Sequence, residues 1–176
     1  MIDFSRNYFE LFGLPPAFRF DGAVLDRAYR QLQTEVHPDR FAGGSDAQRR
    51  LALQSSARVN EAYRALKDPV RRAQYLLQLN GIDAVGETDT ALPLEFLERQ
   101  LERREQAADA QAAGDVGALS ALLADARAEG SAQEEMLAQL LDGEQAFAVA
   151  RTPVRELTFL AKLADDIDAM MTSMET

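Results

Sequence analysis

Apolar residues recur at spacings of three and four along nearly the whole chain, and no run of alternating β-branched residues interrupts them. That period buries one face of a helix and cannot bury one face of a strand, so the chain is expected to be all-α. The same reading locates the helix ends. "NYFELFGLPPAF" predicts a short helix carrying Tyr8, Phe9, Leu11 and Phe12, stopped by Gly13 and the Pro15-Pro16 pair. Asp21 is placed to cap a helix running to about Val36, with Leu25, Tyr29, Leu32 and Val36 along one stripe. Pro38 disfavours helical backbone in the residue before it, which ends this helix near His37.

Ser45 followed by Gln48 makes a capping box for the next helix, whose expected stripe is Ala52, Ser56, Val59, Tyr63 and Leu66. Two such helices joined by a short loop pack as an antiparallel pair. Asp68-Pro69 supplies a cap and a first-turn proline for a further short helix that ends at Gly81. The polar, turn-rich stretch "NGIDAVGETDTALP" then reads as a linker. Beyond it, three helical segments are expected from Leu94 to about Ala112, from about Val116 to Asp142, and from Glu144 to about Met174, forming a small bundle. Thr152-Pro153 predicts a kink or a fresh start in the last of them. The organisation expected is a first module over residues 1–80, a linker over 81–93 and an acidic three-helix module over 94–176.

Charge divides along the same line. The net charge of −10 combines 12 Arg/Lys against 9 Asp/Glu in residues 1–80 with 7 against 20 in residues 81–176. Such asymmetry points to two modules with different partners. A surplus of three positive charges over 80 residues is weak for a phosphate-binding surface, and the acidic half repels DNA, so no nucleic-acid partner is expected. No apolar run of about 18 residues occurs, and "MIDFSRNYFELFGL" has no basic region ahead of an apolar core. The expectation is a cytoplasmic protein with no membrane partner.

Chemistry is constrained by what the chain lacks. With no cysteine and one histidine, thiolate catalysis, disulfides, most zinc sites and hydrolase triads have no residues to work with. Neither a D-x-[DN]-x-[DN]-G loop nor a glycine-rich phosphate motif is present. An oxygen-only Mg²⁺ or Ca²⁺ site stays open in so acidic a chain, but no residue pattern calls for a metal or a cofactor, and no enzymatic activity is expected. The one histidine stands in "TEVHPDRFAGGS" at the expected helix end. From the residues alone His37 is open to two roles, a cap on a helix C-terminus or an exposed recognition group. A catalytic role lacks a nucleophile arranged nearby in the sequence.

His37-Pro38-Asp39 between an amphipathic helix with basic outer residues and a second antiparallel helix resembles a J-domain. The resemblance extends through "NYFELFGLP", "YRQLQTEVHPDRF", "ARVNEAYRALKDPVRRAQYLL", "FLERQLERRE" and "VRELTFLAKL", and so covers essentially the whole chain. In that order these segments are similar to the HscB family of J-domain co-chaperones. The resemblance implies an N-terminal J-domain, an antiparallel helix pair with the His-Pro-Asp loop, followed by a C-terminal three-helix bundle. It implies two partners, a DnaK-type ATPase chaperone (HscA-like) stimulated by the first module and an iron-sulfur scaffold protein (IscU-like) held by the second. A J-domain serving a general DnaK-type chaperone with another client would be expected to carry Gly/Phe-rich or cysteine zinc regions, and neither is found. Some relatives carry an N-terminal cysteine-rich zinc segment; with no cysteine, no metal is carried over to this chain.

Residue by residue, the resemblance implies that His37, Pro38 and Asp39, with Arg27, Arg30 and Arg40, meet the chaperone. It places the scaffold surface on the helix starting at Leu94, where Leu97, Leu101, Glu102, Glu105 and Asp109 are the candidates, and Phe159 joins them as a candidate from its position beside the seam of the last helix. Glu98 departs from the family, where that position tends to be apolar. Periodicity by itself leaves two readings of Leu97 and Leu101 open, bundle core or exposed surface. In the last helix Leu157, Leu160, Ala164, Ile167, Met171 and Met174 make a heptad-like seam, and Phe159 and Leu163 beside it are open to two readings, an apolar flank for a partner or part of a wide core face.

Overall fold

The computed structural model describes residues 2–84 and 92–174. Every regular element among them is helical. The expected linker over 81–93 therefore lies partly outside the described residues. The chain divides into two compact units, Met1–Leu76 and Leu77–Thr176, with the division inside the fourth helix.

The first unit begins with α1 (Tyr8–Leu11), closed by a reciprocal cap between Asn7 and Glu10. It turns away at Gly13, whose φ of +66° is the left-handed conformation that glycine adopts without strain. Helix α2 (Gly22–Val36) starts where the Asp21 carboxylate accepts the Ala23 amide at 2.9 Å. A 3-10 turn (Pro38–Phe41) follows, and α3 (Asp46–Lys67) opens on the Ser45/Gln48 capping box. In α4 (Pro69–Leu79) the first turn is held by Asp68, which accepts the Arg71 amide at 3.0 Å.

Buried positions on α3 are Ala52, Ser55, Val59, Ala62 and Leu66. The expected stripe had Ser56 and Tyr63 instead. Both lie about 60° to 80° around the helix from the centre of that buried face and are only half-buried. Tyr63 stacks on Tyr29 of α2, with ring centroids 4.0 Å apart. A polar clasp flanks the stack: Tyr29 donates to Asn60 at 2.9 Å, and Tyr63 donates to Asp26 at 3.0 Å. Lys67 reaches both Asp26 oxygens at 2.7 and 2.9 Å. Partner numbers fall along α3 as they rise along α2, so the pair is antiparallel. The Lys67 ammonium, and after it the Tyr63 hydroxyl, hold the Asp26 carboxyl below its ordinary value. Phe9, Phe18, Leu25, Val59 and Leu66 are fully buried in this unit.

The second unit holds α5 (Leu94–Ala113), α6 (Val116–Ala138) and α7 (Phe147–Met174). Helix α5 ends at Gly114 with φ +70°, and Asp115 caps α6 by accepting the Ala118 amide at 2.9 Å. A π-helical turn (Gln139–Gly143) carries α6 into the reversal, completed by Gln145 at φ 51°. No fresh start occurs at Thr152-Pro153: α7 is continuous through Pro153. Ala150 and Val154, on either side of the proline, are fully buried, and this packing overrides its helix-breaking tendency. Facing residues on α5 and α7 keep a nearly constant offset, Phe96 with Phe159, Arg104 with Asp166 and Gln111 with Ser173, so these two helices run parallel. One core cluster joins Ala107 and Ala110 to Leu119, Leu123, Ala126, Leu163 and Ile167.

Leu163 is thus core, 2% exposed, and not part of an apolar flank. Helix α7 packs on both α5 and α6, so its buried face is wider than a single seam, and Ala164, Met171 and Met174 lie at its edge.

Candidate functional site

Two surfaces, one in each unit, gather the residues singled out from the sequence. In the first unit the helix end and the loop are set by Pro38. His37 is the C-terminal cap of α2 with ψ 127°, the extended value that a following proline requires. The Arg40 amide then donates to the His37 carbonyl at 3.1 Å, closing the 3-10 turn. Within the turn the His37 imidazole Nδ1 accepts the Asp39 amide at 3.3 Å and lies 3.6 Å from the Asp39 carboxylate. The imidazole therefore caps the 3-10 turn, and both side chains remain open to solvent, 53% exposed at His37 and 90% at Asp39.

Arg27 and Arg30 are exposed on α2, and Thr34 continues their face, its hydroxyl donating to the Arg30 carbonyl at 3.0 Å. Arg40 bends back to this face and donates from Nη1 to the Thr34 carbonyl at 3.2 Å. The three arginines therefore form one basic strip that leads to the loop. Pro38 fixes the backbone between two exposed polar side chains, so little conformational freedom is left to lose on docking.

In the second unit Leu97 is 38% exposed, Leu101 60% and Phe159 39%. The core-facing positions of α5 are Phe96, Gln100, Ala107 and Ala110, so Leu97 and Leu101 point away from the core. Phe159 is brought to α5 by an edge-on contact with buried Phe96, ring centroids 6.2 Å apart. Glu98, Glu102, Glu105 and Asp109 are all exposed, spaced as an acidic stripe along the same helix. Leu97 and Leu101 thus form an exposed apolar ridge with the acidic stripe on one side and Arg104, paired with Asp166 of α7, continuing its line, and Phe159 stands on α7 against Phe96.

Two contributors escaped the sequence reading. Leu94 is 70% exposed and extends the Leu97/Leu101 line one turn toward the helix start. Its spacing of three from Leu97 was a usable signal. Phe96 supports Phe159 from below, and only the packing of α7 shows which neighbour it meets.

Among the described residues no group of acidic or histidine side chains is placed to hold a metal ion. None of their helices is long and apolar enough to cross a membrane.

Comparison with known proteins gives the same two-part division. Residues 7–75 match the DnaJ domain, and residues 92–168 match the HSCB C-terminal oligomerisation domain. The chain is 48% identical to the co-chaperone protein HscB homolog of Burkholderia multivorans over 176 residues, covering 100% of both chains. Its fold is similar to that of chaperone HscB from Vibrio cholerae, with a TM-score of 0.85, 37% identity and coverage of 96% of this chain and 99% of the other. It is also similar to human co-chaperone protein HscB, with a TM-score of 0.88 and 28% identity over 96% of this chain and 83% of the human one. An all-α chain with an N-terminal J-domain and an HscB-type C-terminal bundle, it belongs to the HscB family of co-chaperones.

Proposed function

We propose that this chain stimulates ATP hydrolysis by an HscA-like, DnaK-type chaperone and delivers to it an IscU-like iron-sulfur scaffold, promoting cluster transfer to acceptor proteins. The observation that supports the reading is that two separately compact units each expose a distinct set of side chains, the His37-Asp39 loop in one and Leu97 and Leu101 in the other. A chain built this way can hold an ATPase and its client at once.

Each surface suits its assigned partner. In the J-domain, His37, Pro38 and Asp39 form a preset contact. Arg27, Arg30 and Arg40 supply positive charge that steers encounter with an acidic surface. In the bundle, Leu97, Leu101 and Phe159 offer a desolvatable centre, with Glu102, Glu105 and Asp109 as a rim that selects a scaffold with basic side chains around its apolar contact. Residues 1–80 are taken as the stimulating module, 81–93 as the connection and 94–176 as the client module. The chain itself performs no covalent chemistry, and its working place is the cytoplasm.

The test is reconstitution. Cluster-loaded scaffold, the chaperone, ATP and an apo-acceptor are mixed with and without this chain, and transfer is followed by visible circular dichroism. Acceleration that needs both ATP and this chain supports the proposal. Transfer at the same rate without the chain, or binding of only one of the two partners, refutes it.

A further inference from the structure

We infer that Arg40 and Arg49 act as a pair of positioning residues, tying the His37-Pro38-Asp39 loop to α2 on one side and α3 on the other so that it meets the ATPase partner already in place. The inference deepens the proposed function and rests on it for the meaning of the loop.

Nine residues, 37–45, join the last residue of α2 to the first of α3. Their only regular element is the 3-10 turn over 38–41, flanked by the Arg40 amide on the His37 carbonyl, the Ala42 amide on the Asp39 carbonyl at 3.3 Å and the Gly44 amide on the Phe41 carbonyl at 2.9 Å. Gly43 and Gly44 follow, and glycine leaves the chain its greatest conformational freedom. Gly44 is there for room, since a Cβ on it would come within 2.7 Å of the Gln48 side-chain oxygen and 3.2 Å of the Phe41 carbonyl. Packing from below is also incomplete. An apolar hollow of about 160 Å³ lies there, lined by Val36, Phe41, Leu51, Ala52 and Ser55. Pro38 and the 3-10 turn shape the loop, but with the hollow beneath it packing does not hold it against α2 and α3.

Two guanidinium groups do. Arg40 Nη1 donates to the Thr34 carbonyl, one of the last-turn carbonyls of α2 that have no partner within the helix. Arg49, in the first turn of α3, donates from Nη1 to the Ala42 carbonyl at 3.2 Å. Its other nitrogen is hydrogen-bonded to the Asp46 carboxylate, which aims the side chain across the gap. The two tethers straddle the turn, at Arg40 on the α2 side and at Ala42 on the α3 side. Each hydrogen bond from a charged donor is stronger than a neutral one, and only a planar fork can serve Asp46 and Ala42 together. Both arginines are exposed. Their loss therefore changes the population of the docking-ready loop far more than the stability of the fold.

A loop that is competent only part of the time raises the apparent dissociation constant in inverse proportion to that fraction and leaves the saturated complex unaltered. The experiment compares the full chain with Arg49→Ala, Arg49→Lys and Asp46→Asn. ATPase stimulation is titrated, and backbone amide exchange over residues 39–44 is measured on the free chain. Expected for Arg49→Ala is a half-maximal concentration raised roughly three- to tenfold with unchanged maximal stimulation and melting, and faster exchange over 39–44. Arg49→Lys and Asp46→Asn are expected to fall between Arg49→Ala and the parent on both readouts. Unchanged exchange in Arg49→Ala overturns the inference, and so does faster exchange with an unchanged half-maximal concentration. If the parent chain stimulates no ATPase, the proposed function fails, while the exchange comparison still decides whether the Arg49 tether holds the loop.

Discussion

Leu101→Ala separates a client surface from a core position by its magnitude. Leu101 is 60% exposed, so about two-fifths of its side chain is buried. Fully burying a leucine stabilises by roughly 1.5 to 3 kcal/mol, so the truncation costs about 1 kcal/mol, part of it offset because alanine is the better helix former. For a unit of this size that is a fall in melting temperature of roughly 4 to 8 °C or less. Leu163→Ala is the control: at 2% exposure it is a core truncation and costs about 2 to 5 kcal/mol. Binding should reverse the order. An apolar side chain at the centre of an interface contributes about 2 kcal/mol or more, so Leu101→Ala should weaken scaffold binding roughly 30-fold. The assay is calorimetric titration with purified scaffold, beside thermal melts of both variants. A Leu101→Ala melt as low as that of Leu163→Ala, or binding within about threefold of the parent, refutes the assignment.

Three further outcomes follow from the same geometry. The Asp26 carboxyl is held below its ordinary value, so its contribution to stability is present above the unfolded value near 3.9 and is lost as pH falls through the folded one. Asp26→Asn should therefore melt lower than the parent near neutral pH, and the gap should close below about pH 4; a gap that persists into acid contradicts the clasp. Gln100 is 4% exposed and neither of its amide atoms has a partner, so Gln100→Leu should stabilise by about 1 to 3 kcal/mol in a denaturant titration, and a loss of stability would show that the amide is satisfied. Stimulation of the ATPase should weaken as salt is raised from roughly 0.05 to 0.3 M, because the basic strip is exposed; a flat response argues against steering by Arg27 and Arg30.

Helix ends were legible because their chemistry is local. Asp21, Ser45 with Gln48, and Asp68 each cap an amide two or three residues away, and Gly13, Gly81 and Gly114 supply positive φ within the turn itself. What depends on a neighbouring helix was not legible. The buried face of α3 includes Ser55 and not Ser56, because the position of α2 sets its phase. Pro153 passes without a break because Ala150 and Val154 are pinned by packing, and Leu163 is core because α7 meets two helices at once. Spacing marked Leu97 and Leu101 as one ridge, yet only the placement of Phe96 and Gln100 against the core leaves that ridge facing solvent. Arg40 was read as a surface cation; its hydrogen bond to Thr34 depends on the path of the 3-10 turn.

The central claim is that His37 and its neighbours act on an ATPase partner by recognition. Single-turnover ATP hydrolysis by the DnaK-type chaperone, measured with saturating scaffold and either this chain or His37→Gln, tests it most directly. The account predicts strong acceleration by the parent chain and none by His37→Gln, with equal helix content, equal melting and equal scaffold binding. Full acceleration by His37→Gln, or none by the parent, would contradict it.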